Sequence, residues 1–297
     1  MTAARSIAIP FAVATAGIAL FSMMDALMKG LSLAIGTYNA LLWRTMAGAA
    51  IGGIMFFGRR LPWPGRAAMR VHLTRGILSV FMALSFFWGL ARVPMAQAIA
   101  LAFVAPIISL FLAAFLLGEK IERRAILASL LGFAGVGVIF AGQTRAELGD
   151  EAFWGSLSIL ASACLYAYNI ILMRRQAQLA QPLEVAFFVS LIMTSGFILA
   201  APWLAVAPPA EQLPAITGAA VLAFLSLILL SWAYARAEAQ HLAPVEYTSF
   251  IWAAGLGWVV FGEPVLPATL AGAAMIIIAC LIAASRPARA IDPETGL

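Results

Sequence analysis

Charged residues are scarce in this sequence: they make up 10% of its 297 positions, whereas hydrophobic residues make up 64%. Soluble domains carry about 25% charged residues, so a soluble fold could not cover this much apolar surface. Cysteine is nearly absent as well. The two cysteines, Cys164 and Cys280, both lie in apolar runs, where a thiol behaves as a small hydrophobic group, so no disulfide framework is expected.

Catalytic and nucleotide-binding motifs are also missing. The chain has two histidines, His72 and His241, and lacks both a His-Glu-x-x-His zinc motif and a nucleophile elbow. It has no Walker motif, so no ATP-binding site of that type is expected. The sequence therefore predicts a protein that is not an enzyme and that needs no cofactor and no metal. A membrane-embedded enzyme and a channel are the alternatives of another class.

What the sequence does contain is a series of apolar runs of about 20 residues, the length that crosses a hydrocarbon core as a helix. Strand alternation is absent, so helices rather than a barrel satisfy the backbone. The predicted fold class is all-α: a polytopic membrane protein with ten transmembrane helices. The predicted spans are 7–29, 38–57, 71–91, 95–117, 123–141, 153–173, 184–205, 213–235, 243–261 and 265–284.

The basic residues predict how these spans are oriented. Cytoplasmic loops carry the excess of Lys and Arg, and ten spans with a cytoplasmic N-terminus place most of the 18 basic residues on that side. Lys29, Arg92 and Arg145 fall outside, and Arg44 falls within span two. We therefore expect a multi-pass protein of the inner or plasma membrane with both termini cytoplasmic. The net charge of +5 follows from these loops, and nucleic acid is not expected as a partner.

An internal repeat divides the chain. Trp88-Gly-Leu-Ala-Arg92 matches Trp232-Ala-Tyr-Ala-Arg236, and Gly118-Glu119 matches Gly262-Glu263, each 144 positions apart. Two copies of five helices must enter the membrane from opposite faces, because five is odd. The predicted repeats are 1–145 and 146–297, within one membrane domain.

These motifs resemble those of the drug/metabolite transporter superfamily, specifically its ten-helix EamA-type branch. The diagnostic stretches are Arg75-Gly76, Phe87–Ala96, Pro106, Leu117–Glu119, Ala243–Tyr247 and Phe261–Pro264. Pro106 departs from the repeat, since Phe250 takes its place in the second copy. The resemblance implies two pseudo-twofold-related repeats around a central cavity, with alternating access. We interpret Glu119 and Glu263 mainly as capping or loop contacts.

Polar residues within the spans are the candidate site, because a charge in the bilayer must be paired or hydrated. Asp25 and Lys29 share one face of span one and can pair, and Arg44 lies at similar depth on span two. Two interpretations stay open for these three residues: an outer gate or substrate-carboxylate site, and a structural salt bridge that reaches the surface.

A second group lies near the cytoplasmic ends of the spans. Glu246 and Tyr247 on span nine and Arg75 on span three are candidates for an inner gate, and Glu246 is also the candidate protonatable coupling group. The alternative for Glu246 is an interfacial carboxylate in contact with water. The predicted cavity lining is Gln97, Tyr168, Asn169 and Trp252.

Together these features predict a secondary transporter that moves a small polar metabolite, an amino acid or related compound, by alternating access, with proton coupling or exchange. A carrier of vitamins or nucleoside-like cofactors with the same fold is the alternative. The expected partners are the small-molecule substrate, the lipid bilayer and protons, and the sequence leaves a homodimer open.

Overall fold

The computed structural model describes residues 2–117, 123–145, 149–234 and 245–284, and these residues form helices and connecting turns without any β-strand. The all-α prediction is confirmed for this part of the chain. The helices are α1 Thr2–Ile35, α2 Thr37–Gly58, α3 Arg66–Leu90, α4 Met95–Ala102, α5 Ala105–Leu117, α6 Arg123–Arg145, α7 Gly149–Ala177, α8 Pro182–Ile198, the single turn α9 Ala201–Leu204, α10 Leu213–Tyr234, α11 Thr248–Phe261 and α12 Pro267–Ala284.

Every predicted span overlaps at least one of these helices. Five apolar segments are long enough to cross a bilayer by length and composition: Ile9–Ile35, Thr37–Gly58, Arg66–Leu90, Gly149–Met173 and Ala210–Leu230. The other predicted spans contain shorter apolar helices of 10–17 residues. The chain is therefore a polytopic helical protein of membrane type, and the count of ten spans stays a prediction.

Predicted span four is not continuous. It divides into α4 and α5, and the chain turns at Phe103 and Val104 between them. Pro106 explains the break, because proline has no backbone N–H to donate and its ring clashes with the carbonyl four residues earlier. The break leaves α4 as a short helix whose first turn, at Met95, lies at one end of the bundle.

Helix packing joins the first part of the chain to the second. The closest neighbours are α1 with α10, α3 with α7, α2 with α8, and α6 with α12. Glycine permits the last contact: a Cβ atom at Gly135 on α6 would lie 2.7 Å from the carbonyl oxygen of Gly272 on α12, which is closer than real Cβ atoms approach. Each half thus packs against the other rather than forming a separate core.

Candidate functional site

At one end of the bundle, Lys29 on α1 contacts two other segments, the end of α11 and the beginning of α4. We call this the far end, where α1 and α11 end and α4 begins. The Lys29 ammonium forms an ion pair with Glu263 and donates to the carbonyl oxygen of Val93 at 2.7 Å. The other Glu263 carboxylate oxygen accepts from the backbone N–H of Met95 at 2.8 Å, the first residue of α4. One carboxylate thus joins α1, α4 and α11.

The position of Glu263 follows from the end of α11. Gly262 has a left-handed backbone, with φ of 67°, which ends the helix and turns the chain back. A Cβ atom at Gly257 would lie 2.9 Å from Oε2 of Glu263, so glycine there leaves room for the returning carboxylate. Glu263 therefore makes the capping contact interpreted from the sequence. Glu119, its repeat counterpart, lies outside the described residues.

This geometry corrects the predicted pairing of Asp25 with Lys29. Lys29 pairs with Glu263 instead, because the turn at Gly262 brings that carboxylate to the end of α1. Asp25, one helical turn deeper, is 3% exposed, and its Oδ1 atom has no hydrogen-bond partner among the described residues.

Arg44 on α2 carries the opposite charge to Asp25 and interacts with it. The two side chains interact electrostatically, yet they form no ion pair. The guanidinium carbon of Arg44 lies 5.9 Å from the centre of the Phe87 ring, and Nη1 is 3.8 Å from the sulfur of Met24. Its buried Nε atom has no hydrogen-bond partner in the described part of the chain. Asp25 and Arg44 therefore form an incompletely satisfied pair of opposite charges.

A second polar cluster lies at the near end of the bundle, where α3 begins, α7 ends and α8 begins. Arg75 donates from Nε to Oδ1 of Asn169 at 3.0 Å and from Nη1 to Oε1 of Gln176. Gln176 also contacts His72 Nδ1 at 2.6 Å through its amide nitrogen, and His72 Nε2 is 2.9 Å from Oε1 of Glu184. Arg75 and Asn169 are both candidate residues from the sequence, but their contact with each other was not predicted.

A residue outside the predicted site, Tyr166, links two of the predicted inner-gate residues. Tyr166 on α7 interacts electrostatically with both Arg75 and Glu246, and 36% of its surface is exposed. The Glu246 side chain is exposed, at the beginning of the α11 segment. Tyr247 packs edge-to-face on Phe103, with ring centres 5.3 Å apart. Arg75, Tyr166 and Glu246 therefore form one electrostatic group.

The residues predicted to line the cavity differ in how far they are buried. Gln97 is 1% exposed and donates to Ser156 at 2.9 Å, while its Oε1 atom is unpartnered among the described residues. Tyr168 is half-buried, and Trp252 is 40% exposed. Their role as lining stays a prediction.

Sequence reasoning missed His72, Gln176 and Glu184 as parts of the near-end cluster. Helical spacing could have predicted part of the cluster. His72 and Arg75 are three residues apart on α3, and Asn169 and Gln176 are seven apart on α7, so each pair shares a helix face. The sequence did not reveal that these two faces meet.

An all-helical polytopic fold with clusters of charged and polar side chains at both ends of the bundle is typical of membrane transport proteins. The chain belongs to the EamA-like transporter family, whose sequence model matches residues 8–141 and 153–285. The family membership confirms the resemblance to the EamA-type branch of the drug/metabolite transporter superfamily, and it indicates a transporter rather than an enzyme.

Several relatives are named as transporters of different small molecules. The chain is 29% identical over 276 residues to a riboflavin transporter of Rhizobium johnstonii. The alignment covers 90% of this chain and 87% of that protein. It is 25% identical to the pseudopaline exporter of Pseudomonas aeruginosa over 88% of this chain and 90% of that protein. It is 28% identical to an S-adenosylmethionine uptake transporter of Rickettsia bellii over 71% of both chains.

A solved crystal structure supports the fold. It matches 93% of this chain and 97% of its own length with a TM-score of 0.61, at 21% sequence identity. At this identity the similarity concerns the fold alone.

Proposed function

We propose that this protein is a secondary carrier that moves a small zwitterionic metabolite, of the amino-acid type, across the inner membrane. The observation that carries the proposal is the Asp25–Arg44 pair. A charge at the centre of a bilayer costs about 3 kcal/mol or more and is retained where it serves a function. Both residues keep a buried polar atom unpartnered among the described residues.

The chemistry of the pair favours a ligand that carries both charges. The Asp25 carboxylate is an acceptor for an ammonium group, and the Arg44 guanidinium is a donor matched to a carboxylate. An anion alone would satisfy Arg44 and leave Asp25 facing a like charge, and a cation alone would do the reverse. An α-amino acid group satisfies both residues at once.

We assign Lys29 no direct contact with the substrate, because its ammonium group already pairs with Glu263 and donates to the Val93 carbonyl. We propose instead that the Lys29–Glu263 pair is a gate that holds the far end closed. Opening that end would require α1 to separate from α11 and α4, which the Glu263 carboxylate joins.

Alternating access would follow from two repeats, 1–145 and 146–297, related by inversion. The packing pattern supports this proposal: if α4 and α5 count as one span and the single turn α9 is left out, exchanging the halves converts the α1–α10 contact into the α7–α3 contact. The α2–α8 and α6–α12 contacts are unchanged by the same exchange. With a cytoplasmic N-terminus, the far end would face outward.

Ligand binding to the purified carrier tests the substrate class directly. A ligand that binds only the folded state at 100 times its Kd stabilises it by about 2.7 kcal/mol. The panel comprises α-amino acids, the matching amines that lack the carboxylate, and the matching acids that lack the amine. Riboflavin and S-adenosylmethionine test the vitamin and cofactor alternative. We expect thermal stabilisation by zwitterions, and stabilisation by amines or acids alone would contradict the proposal.

Variants locate the binding site. We expect Arg44→Ala to abolish uptake of the zwitterion into liposomes while the protein remains folded and monodisperse, because the carboxylate loses its donor. Asp25→Asn should weaken binding of the same ligand at least tenfold. Arg59→Gln, an exposed arginine just past the end of α2, is the matched control and should leave binding unchanged. Retained uptake by Arg44→Ala would refute a site role for Arg44.

A further inference from the structure

The near-end cluster is a continuous chain of hydrogen bonds with a charged group at each end. It begins at Glu184 on α8 and passes through His72 on α3 and Gln176 on α7 to Arg75 on α3. His72 is completely buried and Gln176 is 1% exposed, while the Glu184 side chain is 13% exposed. The chain of hydrogen bonds therefore joins the protein surface to the half-buried Arg75.

The arginine fixes the direction of every hydrogen bond in this chain. A guanidinium can only donate, so the Gln176 atom that faces Arg75 must be its carbonyl oxygen. The amide nitrogen of Gln176 must then donate to Nδ1 of His72, which can accept only if it carries no proton. The remaining nitrogen, Nε2, carries the proton and donates to the Glu184 carboxylate. His72 is therefore held as one neutral tautomer.

We propose that His72 is a pH-responsive positioning residue for Arg75. A proton added to Nδ1 converts the acceptor that faces Gln176 into a donor. The Gln176 amide can adapt only by turning over, which would present its NH₂ group to the guanidinium, donor against donor. Charged His72 and the Arg75–Gln176 hydrogen bond are thus mutually exclusive, and protonation frees one arm of Arg75.

The groups around His72 come from three helices packed around it. From α8, Oε1 of Glu184 lies 2.9 Å from Nε2, and Phe188 stacks on the imidazole ring with ring centres 5.2 Å apart. From α7, the uncharged Gln176 amide donates to Nδ1. From α2, Phe56 contributes only an apolar ring, packed on Phe188. Arg75, on the same helix as His72, is the other charge in the chain of bonds.

Release of Arg75 matters for transport because its other neighbours are the candidate inner-gate groups. Arg75 retains its bond to Asn169 and interacts electrostatically with Tyr166, which also interacts with Glu246. The role in transport rests on the proposed function, whereas the link between His72 and Arg75 rests on the hydrogen bonds alone.

Histidine-selective ¹⁵N NMR can test that link, because the chain has two histidines and His241→Asn leaves one. At alkaline pH, the His72 proton is expected on Nε2, and a proton on Nδ1 would overturn the inference without any further variant. In Arg75→Leu, Gln176 can turn freely, so we expect half-titration of His72 at a proton concentration at least tenfold lower than in the parent.

Arg70→Gln is the matched control for charge. Arg70 is an exposed arginine on the same helix, outside the hydrogen-bond chain, and its loss should change the titration less than twofold. Equal titrations of the parent and Arg75→Leu, or equal shifts in Arg75→Leu and Arg70→Gln, would overturn the inference.

A transport measurement then separates this inference from the proposed function. In Gln176→Glu, a carboxylate can accept from Arg75 and from charged His72 together, so the dependence of uptake on near-end pH between 5.5 and 7.5 should flatten. A profile as steep as that of the parent would overturn the transport role. Failure of every zwitterion to bind would refute the proposed substrate class and leave the His72 titrations unaffected.

Discussion

The Lys29–Glu263 pair allows the far-end gate to be tested quantitatively. Glu263→Ala removes the carboxylate partner of Lys29, a residue that is 3% exposed, and among the described residues it leaves the ammonium group with the Val93 carbonyl alone. Removing one partner of a buried ion pair costs about 3–5 kcal/mol. If the pair exists mainly when the far end is closed, a loss of about 3 kcal/mol shifts the closed-to-open ratio by a factor on the order of 100.

The double variant Lys29→Met/Glu263→Leu is the informative comparison. Replacing both members of a buried pair with apolar residues of similar volume is often neutral or stabilising. We therefore expect the double variant to recover most of the thermal stability that Glu263→Ala loses. The Arg92–Glu151 pair, 3.5 Å apart, supplies the control: the Glu151 side chain is 84% exposed, so Glu151→Gln should cost at most about 1 kcal/mol.

Thiol labelling reports opening. Ser22 is 3% exposed and lies seven residues before Lys29, so it shares the Lys29 face two turns deeper. In a background without Cys164 and Cys280, Ser22→Cys should react slowly with a membrane-impermeant thiol reagent and much faster once Glu263→Ala is added. Unchanged labelling, together with a double variant no more stable than the single one, would refute the gate.

Three further predictions concern coupling and packing. Glu246→Gln should abolish the response of liposome uptake to an imposed pH gradient, and an unchanged response would remove Glu246 as the proton-coupling group. Gly135→Val should lower the melting temperature strongly because its Cβ would meet the carbonyl of Gly272. Gly137→Val should be tolerated, because no atom of the described residues lies within 4 Å of a Cβ there, and equal losses would contradict this. Tyr166→Phe should lower the maximal uptake rate more than substrate affinity, and the reverse would favour a binding role.

The sequence predicted the helices well because membrane spans are defined by local properties. Apolar runs and their polar boundaries are visible within 20 residues, although the division of span four at Phe103 and Val104 was not predicted. Partner choice was less predictable. Lys29 is four residues from Asp25 on one helix, and that proximity suggested a pair, whereas the actual partner is 234 residues away. Nothing local indicates that a turn at Gly262 returns a carboxylate to the end of α1.

In the near-end cluster as well, individual residues could be predicted from the sequence, whereas their contacts could not. Arg75 and Asn169 could be selected individually because each is polar within an apolar helix, and the structure joins them by a hydrogen bond. His72, Gln176 and Glu184 lie close to helix ends, where polar side chains ordinarily meet water, so composition gave no reason to choose them. Only the packing of α3 against α7 and α8 makes them partners of Arg75.

The distribution of satisfied hydrogen bonds suggests where the substrate acts. At the far end, Lys29 and Glu263 form an ion pair. At the near end, Arg75 donates hydrogen bonds to Asn169 and Gln176. The Asp25–Arg44 pair alone combines opposite charges with unpartnered polar atoms among the described residues. A ligand that completes this pair would bind one helical turn below Lys29, where it can weaken or strengthen the closed gate. Binding and gating would then be coupled through the Asp25–Lys29 segment of α1.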